Sequence, residues 1–238
     1  MASVADADLT PGYQGCLFAL DEPVVDATFA ELERIQLDER SWVDIARGWL
    51  GGADVVFGQL VERLAWRQRQ VVMYDRHLPE PRLTSWWDGR DGGTAPLPVL
   101  DDARAALSRR YGRPFDSLGF NLYRDGRDSV AWHGDRERFV HADPVVAIVS
   151  VGAPRAFHLR PRRRPGDPSR AHERRRFVLG QGDLFVMGGR CQHEWEHAVP
   201  KSAHVEGPRL SVMFRHLERV DGDTYLDLGR RRAEVVRD

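Results

Sequence analysis

From Ser117 onward the chain breaks into short runs rich in β-branched and aromatic residues: SLGFNLYR, VVAIVSVG, RAFHLR, RFVLG, DLFVMG and PRLSVMFRH, separated by glycine, proline and aspartate. Many short strands with turn residues between them, and no helix alternating with them, argue against a parallel βαβ sheet and predict a sandwich or jelly roll. The texture upstream differs. Residues 24–36 and 100–112 space their apolar positions at three and four, with Asp26 and Asp101 or Asp102 as candidate N-caps, and residues 54–66 carry a weaker form of the same pattern. Helices are expected at all three places, and the prolines, glycines and tryptophans of residues 77–98 predict irregular connections. The expected fold class is α+β, mainly β, in a single domain over 1–238: an N-terminal helical flank (1–116), a jelly-roll core (117–218) and a charged tail (219–238).

With 238 residues, 42% of them hydrophobic, the chain can bury one substantial core. Two cysteines, Cys16 and Cys191, cannot make a disulfide framework, and the first thirty residues lack the basic start and apolar core of a signal peptide. No apolar run approaches the roughly 18 residues of a membrane span. A soluble, cytoplasmic protein without a membrane partner is expected. The net charge of −1 hides an uneven distribution, because residues 155–176 hold nine arginines against only Asp167 and Glu173. Such a block is either a solvated hairpin tip or a surface that steers phosphate backbones.

In Trp132-His133-Gly134-Asp135 one residue separates an imidazole from a carboxylate, so on an extended segment the two side chains share a face. A third ligand is expected further on, where His193 and His197 compete in QHEWEHAVPK. Two histidines and one carboxylate on one side of a metal leave its other side open, the arrangement of non-haem Fe(II) oxygenases. Arg209 and Arg215 lie six residues apart in PRLSVMFR, hence on one face of a strand, and each could pair a carboxylate of a dicarboxylic acid.

The order of these motifs, Asn121-Leu122-Tyr123, then His133-Gly134-Asp135, then His197 in EHAVPK, then Arg209 through Arg215, resembles the AlkB family of Fe(II)- and 2-oxoglutarate-dependent dioxygenases. The likeness covers roughly residues 69–216, and PRLTSWW at 81–87 looks like the substrate-covering loop of the family's DNA and RNA repair members. The resemblance implies a double-stranded β-helix core, with the N-terminal flank supplying a nucleotide-recognition lid. It implies His133, Asp135 and His197 as iron ligands, selecting His197 over His193. Arg209 would grip the distal carboxylate of 2-oxoglutarate, Arg215 would lie near its metal-bound end, and Asn121, Tyr123 and Ser211 would complete the cosubstrate site. Tyr74, Trp86, Trp87 and Trp132 are candidates for stacking on a base, Arg82 shares the lid, and Glu137 matches the family's acidic base-reading position. Two residues depart from the common pattern: Ser211 stands where asparagine is usual, and Arg136 where an acid or lysine is usual.

The implied chemistry uses Fe(II), 2-oxoglutarate and O2 to remove alkyl groups from nucleobases of the 1-methyladenine and 3-methylcytosine type, releasing formaldehyde, succinate and CO2. The partner would be DNA, with RNA left open, single-stranded or with the target base flipped out, and the enzyme would act as a monomer. Three rivals stand beside this reading. His193-Glu194-Trp195-Glu196-His197 satisfies the H-E-x-x-H zinc protease motif, which requires a helix that the flanking Gly188, Gly189 and Pro200 leave little room for. The same iron site could hydroxylate a protein or small molecule. A non-catalytic nucleic-acid binder is the third.

Overall fold

The computed structural model describes residues 22–73, 76–89, 92–135, 142–162, 173–204 and 207–216. The chain begins with β1 (Val24–Val25), β2 (Leu32–Gln36), β3 (Ser41–Ala46), β4 (Leu50–Gly51) and helix α1 (Ala53–Arg63). It continues through β5 (Gln70–Met73), β6 (Arg76–Pro79), β7 (Leu83–Asp88) and helix α2 (Pro98–Tyr111). The second half runs β8 (Ser117–Tyr123), β9 (Val130–His133), β10 (Val146–Gly152), β11 (Arg155–Pro161), β12 (Arg175–Leu179) and β13 (Asp183–Gly189). It closes with the single turn α3 (Cys191–Glu194), β14 (Trp195–Val199) and β15 (Arg209–Arg215).

Two antiparallel sheets face each other, one of seven strands in the order β2-β3-β13-β10-β15-β8-β7 and one of four in the order β12-β11-β14-β9. This is the mainly β jelly roll that the run of short strands predicts. Alternation along the strands divides the apolar residues between two cores. Val43, Ile45, Ile148, Phe157, Leu159, Phe185 and Met187 fill the space between the sheets. Ala46, Leu118, Phe120, Val149, Val186 and Val212 pack on the opposite face of the large sheet against α1 and α2, whose Val56, Phe57, Leu60, Ala103 and Leu107 are buried there. Each of these valine, leucine, isoleucine, phenylalanine and methionine side chains contributes about 1.5–3 kcal/mol on leaving water.

Helix α2 has Pro98 at its start, where a missing N–H costs nothing, and Gly112 with φ 63° at its end. Asp101 therefore does not cap it; inside the first turn it accepts from the Ala95 N–H at 3.0 Å and from Arg104 Nη1 at 2.7 Å. The helix expected over 24–36 is not formed. The Asp26 carboxylate does accept from the N–H groups of Thr28 and Ala30, both at 2.9 Å, but Phe29 at φ 55° opens the turn. Leu32–Gln36 then pair with β3, and Arg34 donates twice to the buried Asp44, at 2.7 and 2.8 Å. A ladder and a bidentate ion pair outweigh a weak helical period. Residues 77–98 are likewise more regular than expected, since β5 and β6 form a hairpin and β7 pairs with β8 as an edge of the large sheet.

Candidate active site

The site is assembled at one end of the sandwich, between the sheets. His133 closes β9 and lies directly across from His197 on β14, their ring centroids 4.2 Å apart. The ladder between these strands shifts register just after this pair, a distortion of the kind that re-aims side chains beside sites. Asp135 completes the group: one ligand atom from each of His133, Asp135 and His197 lies within 4.8 Å of the others.

Each ligand is held by a contact of its own. His133 Nδ1 lies 2.8 Å from the Ala131 carbonyl oxygen, so Nδ1–H donates and Nε2 keeps its lone pair. Burial, with the neighbouring His133 ring next in weight, pushes the His197 imidazole down to about 3, and Asp135 opposes this only in part. His197 is therefore neutral near neutral pH, the form a metal needs. Its ring stacks on Phe157 at 5.4 Å. The Asp135 backbone N–H donates to Gln192 Oε1 at 2.9 Å, and its carboxylate accepts from Arg215 Nη2, also at 2.9 Å.

Along β15 the side chains of Arg209, Ser211, Met213 and Arg215 alternate onto the inner face, across from Tyr123, Asn121, Gly119 and Ser117 of β8. Arg209 is buried, donates from Nε to Ser150 Oγ at 2.9 Å, and leaves Nη2 buried without a partner. Its guanidinium lies 5.4 Å over the Tyr123 ring, and burial lowers its pKa only to about 10, so it stays charged. A buried N–H without an acceptor costs about 1–3 kcal/mol, more when charged. A carboxylate would satisfy it. Ser211 is buried beside Arg209, and Asn121 Nδ2 donates to Met213 Sδ at 3.4 Å.

The remaining candidates divide. Trp86, opposite Gly119, faces inward and stays 42% exposed at the mouth, with the Arg215 guanidinium 5.6 Å from its ring. Gly119 makes this approach feasible, because a Cβ there would lie 2.9 Å from Met213 Cε and 3.2 Å from the Trp86 ring. Trp87 points the other way, onto the helix side, where Arg104 of α2 stacks 4.6 Å over it. Trp132 also turns away from the ligands: it contacts His158 and Arg160 on the outer face of the small sheet, whereas Leu159, between them, pairs with His197. Neither Trp87 nor Trp132 faces the ligand set, in contrast to the base stacking expected of them. Arg82 pairs with Glu80 at 3.4 Å, and its charge reaches His197. Tyr74, Arg136 and Glu137 lie outside the described residues.

The arginine block is not one surface. Arg155 is buried and donates to the carbonyl oxygens of Asp125, Asp128 and Pro200 at 2.8–2.9 Å, tying the loop between β8 and β9 to the one that follows β14. Arg160 pairs with Glu196 at 2.8 Å, and Arg174, Arg175 and Arg176 are exposed, while residues 163–172 lie outside the described residues. The H-E-x-x-H pattern does not form a zinc protease helix. His193 sits on the one-turn α3, the chain becomes extended at Trp195 (φ −121°, ψ 155°), and His197 stands on a strand.

Sequence reasoning missed Gln192, Ser150 and Arg155. Each acts through a hydrogen bond to a residue 27 to 59 positions away, which no local pattern announces.

The 2OG-Fe(II) oxygenase superfamily profile matches residues 57–215. "Alpha-ketoglutarate-dependent dioxygenase alkB homolog 3" of Mus musculus is 36% identical over 180 residues, 68% of this chain and 61% of that protein, so the chain spans less than two thirds of that relative's length. "DNA oxidative demethylase ALKBH2" of Homo sapiens is 34% identical over 179 residues, 69% of each chain, and its Arabidopsis thaliana namesake 36% identical over 190 residues, 67% of this chain and 60% of its own. With the ligand pattern and both arginines inside the matched stretch, this chain belongs to the 2OG-Fe(II) oxygenase superfamily and, within it, to the AlkB family.

Proposed function

We propose that this protein is an Fe(II)- and 2-oxoglutarate-dependent dioxygenase that removes alkyl groups from the bases of nucleic acid. The observation that carries the reading is the pairing of an open three-ligand set, His133, Asp135 and His197, with a buried guanidinium at Arg209 that has an unused donor between the same two sheets. Two imidazoles and one carboxylate suit Fe(II), and the unused donor suits the far carboxylate of a dicarboxylic acid. Bound there, iron with 2-oxoglutarate and O2 supplies an oxidant that inserts oxygen into a C–H bond of an N-alkyl group, 2-oxoglutarate leaving as succinate and CO2. A hydroxylated N-methyl group then loses formaldehyde and restores the base.

The chain's own residues bind, orient and exclude water. Arg209 fixes the cosubstrate's depth, with Asn121, Tyr123 and Ser211 around it. Arg215 holds Asp135 in one orientation through Oδ1, leaving Oδ2, 3.8 Å from His197 Nε2, as the oxygen that would hold a metal. Trp86 offers a partly exposed ring at the mouth, where a flipped or single-stranded base would stack with a gain of about 1–3 kcal/mol. Tyr74, Arg82 and Glu137 are the further substrate-binding residues in this reading, and the exposed Arg174, Arg175 and Arg176 contact phosphates. The protein acts as a monomer in the cytoplasm; among the described residues no helix is long and apolar enough to cross a membrane.

The test is incubation with Fe(II), ascorbate, 2-oxoglutarate, O2 and oligonucleotides carrying one 1-methyladenine or 3-methylcytosine, as DNA and as RNA, single- and double-stranded. Loss of the methyl mass together with succinate is expected. Succinate without demethylation of any arm would reject these lesions, and neither product from metallated protein would reject the activity.

A further inference from the structure

A cleft of about 480 Å³ lies on the helix side of the large sheet, lined by Arg40, Trp42, Tyr111, Arg113, Asp143, Val145, Gly189 and Arg190. It opens at the same end of the sandwich as the ligand triad. Val145 precedes Val146, the cross-strand partner of Arg215, and Arg190 leads into the turn that carries Gln192. From this position we propose that the cleft is a second nucleic-acid contact, a seat for a phosphodiester of the strand whose base enters the iron site; this rests on the nucleic-acid reading above.

What the cleft can offer a ligand decides the chemistry. Trp42 has no free face, because it lies flat on Gly188, where a Cβ would come within 2.1 Å of its ring, and the Arg34 guanidinium covers it at 3.7 Å. It cannot stack on a base. The Tyr111 hydroxyl is committed to Asp44 at 2.9 Å. The donors left are guanidinium groups. Arg190 is fixed by donation from Nη1 to the Ala142 carbonyl at 2.9 Å, and its buried Nε, without a hydrogen-bond partner, lies 3.9 Å from Glu194 Oε1 in an ion pair. Arg40 is held by its ion pair with Glu194. Arg113 is half-buried, and among the described residues no hydrogen bond or ion pair holds it. Glu194, which pairs with Arg40 and lies 3.9 Å from Arg190 Nε, and Asp143 in the lining balance two of these three cations, so one guanidinium charge is left over. A site that presents forked donors, no free tryptophan face and one guanidinium charge in excess of its carboxylates recognises an acceptor-only anion of any sequence, which is a backbone phosphate. A strand held there and at Trp86 would be gripped on both sides of the sandwich end.

The experiment measures binding of an unmodified single-stranded oligonucleotide by fluorescence anisotropy across a salt series, with wild type, Arg113→Glu and Arg113→Ala. Among the described residues no hydrogen bond or ion pair depends on Arg113, and melting curves verify the fold of each variant. Weakening of about tenfold in Arg113→Glu, less in Arg113→Ala, is expected, with the slope of log affinity against log salt reduced by about 1. Variants with the affinity and slope of a wild type that itself binds and demethylates would overturn the cleft alone; a wild type that binds no nucleic acid would overturn both this site and the reading beneath it. A third arm titrates inorganic phosphate, and Arg113-dependent phosphate binding with unchanged oligonucleotide affinity would also overturn the assignment to a strand.

Discussion

Arg209 and Arg215 occupy the two ends of one strand and project onto the same face, yet their surroundings differ. Arg209 is buried beside Ser150 and Tyr123 and keeps a donor unused, whereas Arg215 is partly exposed, lies beneath Trp86 and donates to Asp135. The difference teaches what each end is built to meet. A buried charge with a vacant donor is costly alone and fits only an anion that enters to complete it. A cation already paired with a candidate ligand, under a ring that water still reaches, is a support and a boundary, with the substrate side beyond it.

The sharpest break in this comparison comes at the shared centre. Asp135→Ala removes one member of the ligand set and the acceptor of Arg215, so turnover measured as succinate should vanish at both high and low 2-oxoglutarate. Retained turnover would show that the metal is held otherwise. Next in size, Arg209→Ala should weaken 2-oxoglutarate by about 2–5 kcal/mol, the range for truncating one partner of a buried charge pair, with Mn(II) affinity unchanged in a titration without cosubstrate. Equal losses of metal and cosubstrate would erase the distinction between the two ends.

Gln192→Leu sharpens the open end. Its side chain is the acceptor for the Asp135 N–H, and Met187 Sδ receives its other end at 3.6 Å. Loss of that support should lower metal affinity about 10- to 100-fold, the usual scale for partners of ligands, while 2-oxoglutarate affinity of the metal-saturated protein changes little. The smallest effect separates the adjacent tryptophans. Trp86→Ala should raise the KM for a methylated oligonucleotide by an amount matching about 1–3 kcal/mol with Tm nearly unchanged. Trp87→Ala should instead lower Tm and leave KM alone, because that ring packs on α2. A reversed pattern would mean that the two faces of β7 have been misassigned.

Much of this site was legible because a strand repeats every two residues. The six-residue spacing places both arginines on one face of β15 whatever the partner strands are, whereas H-x-D keeps its ligands together although β9 ends at His133 and Asp135 lies just beyond it. The positions of most strands from Ser117 were legible because turn residues bracket each run, while their order in the sheets, and β14, were not. His197 could not be separated from His193 by spacing; the resemblance chose it, and the structure places His193 on a single turn and His197 on the strand opposite His133. Trp86 and Trp87 were indistinguishable because the expected irregular loop carries no alternation, and β7 supplies it only by pairing with β8. Val24–Gln36 misled for a physical reason. Its apolar spacing suits a helix weakly, while the partner that holds Arg34 extended, Asp44, lies on the next strand.

The most direct measurement of the central account is an anaerobic titration of the protein with Fe(II) and then 2-oxoglutarate, followed by visible absorption. Chelation of the metal by the cosubstrate's keto and carboxylate oxygens should give a charge-transfer band that saturates at one equivalent, is absent in Asp135→Ala, and in Arg209→Ala needs far more 2-oxoglutarate. No band in wild type despite bound iron, or a band indifferent to Arg209, would contradict the assignment of the two ends.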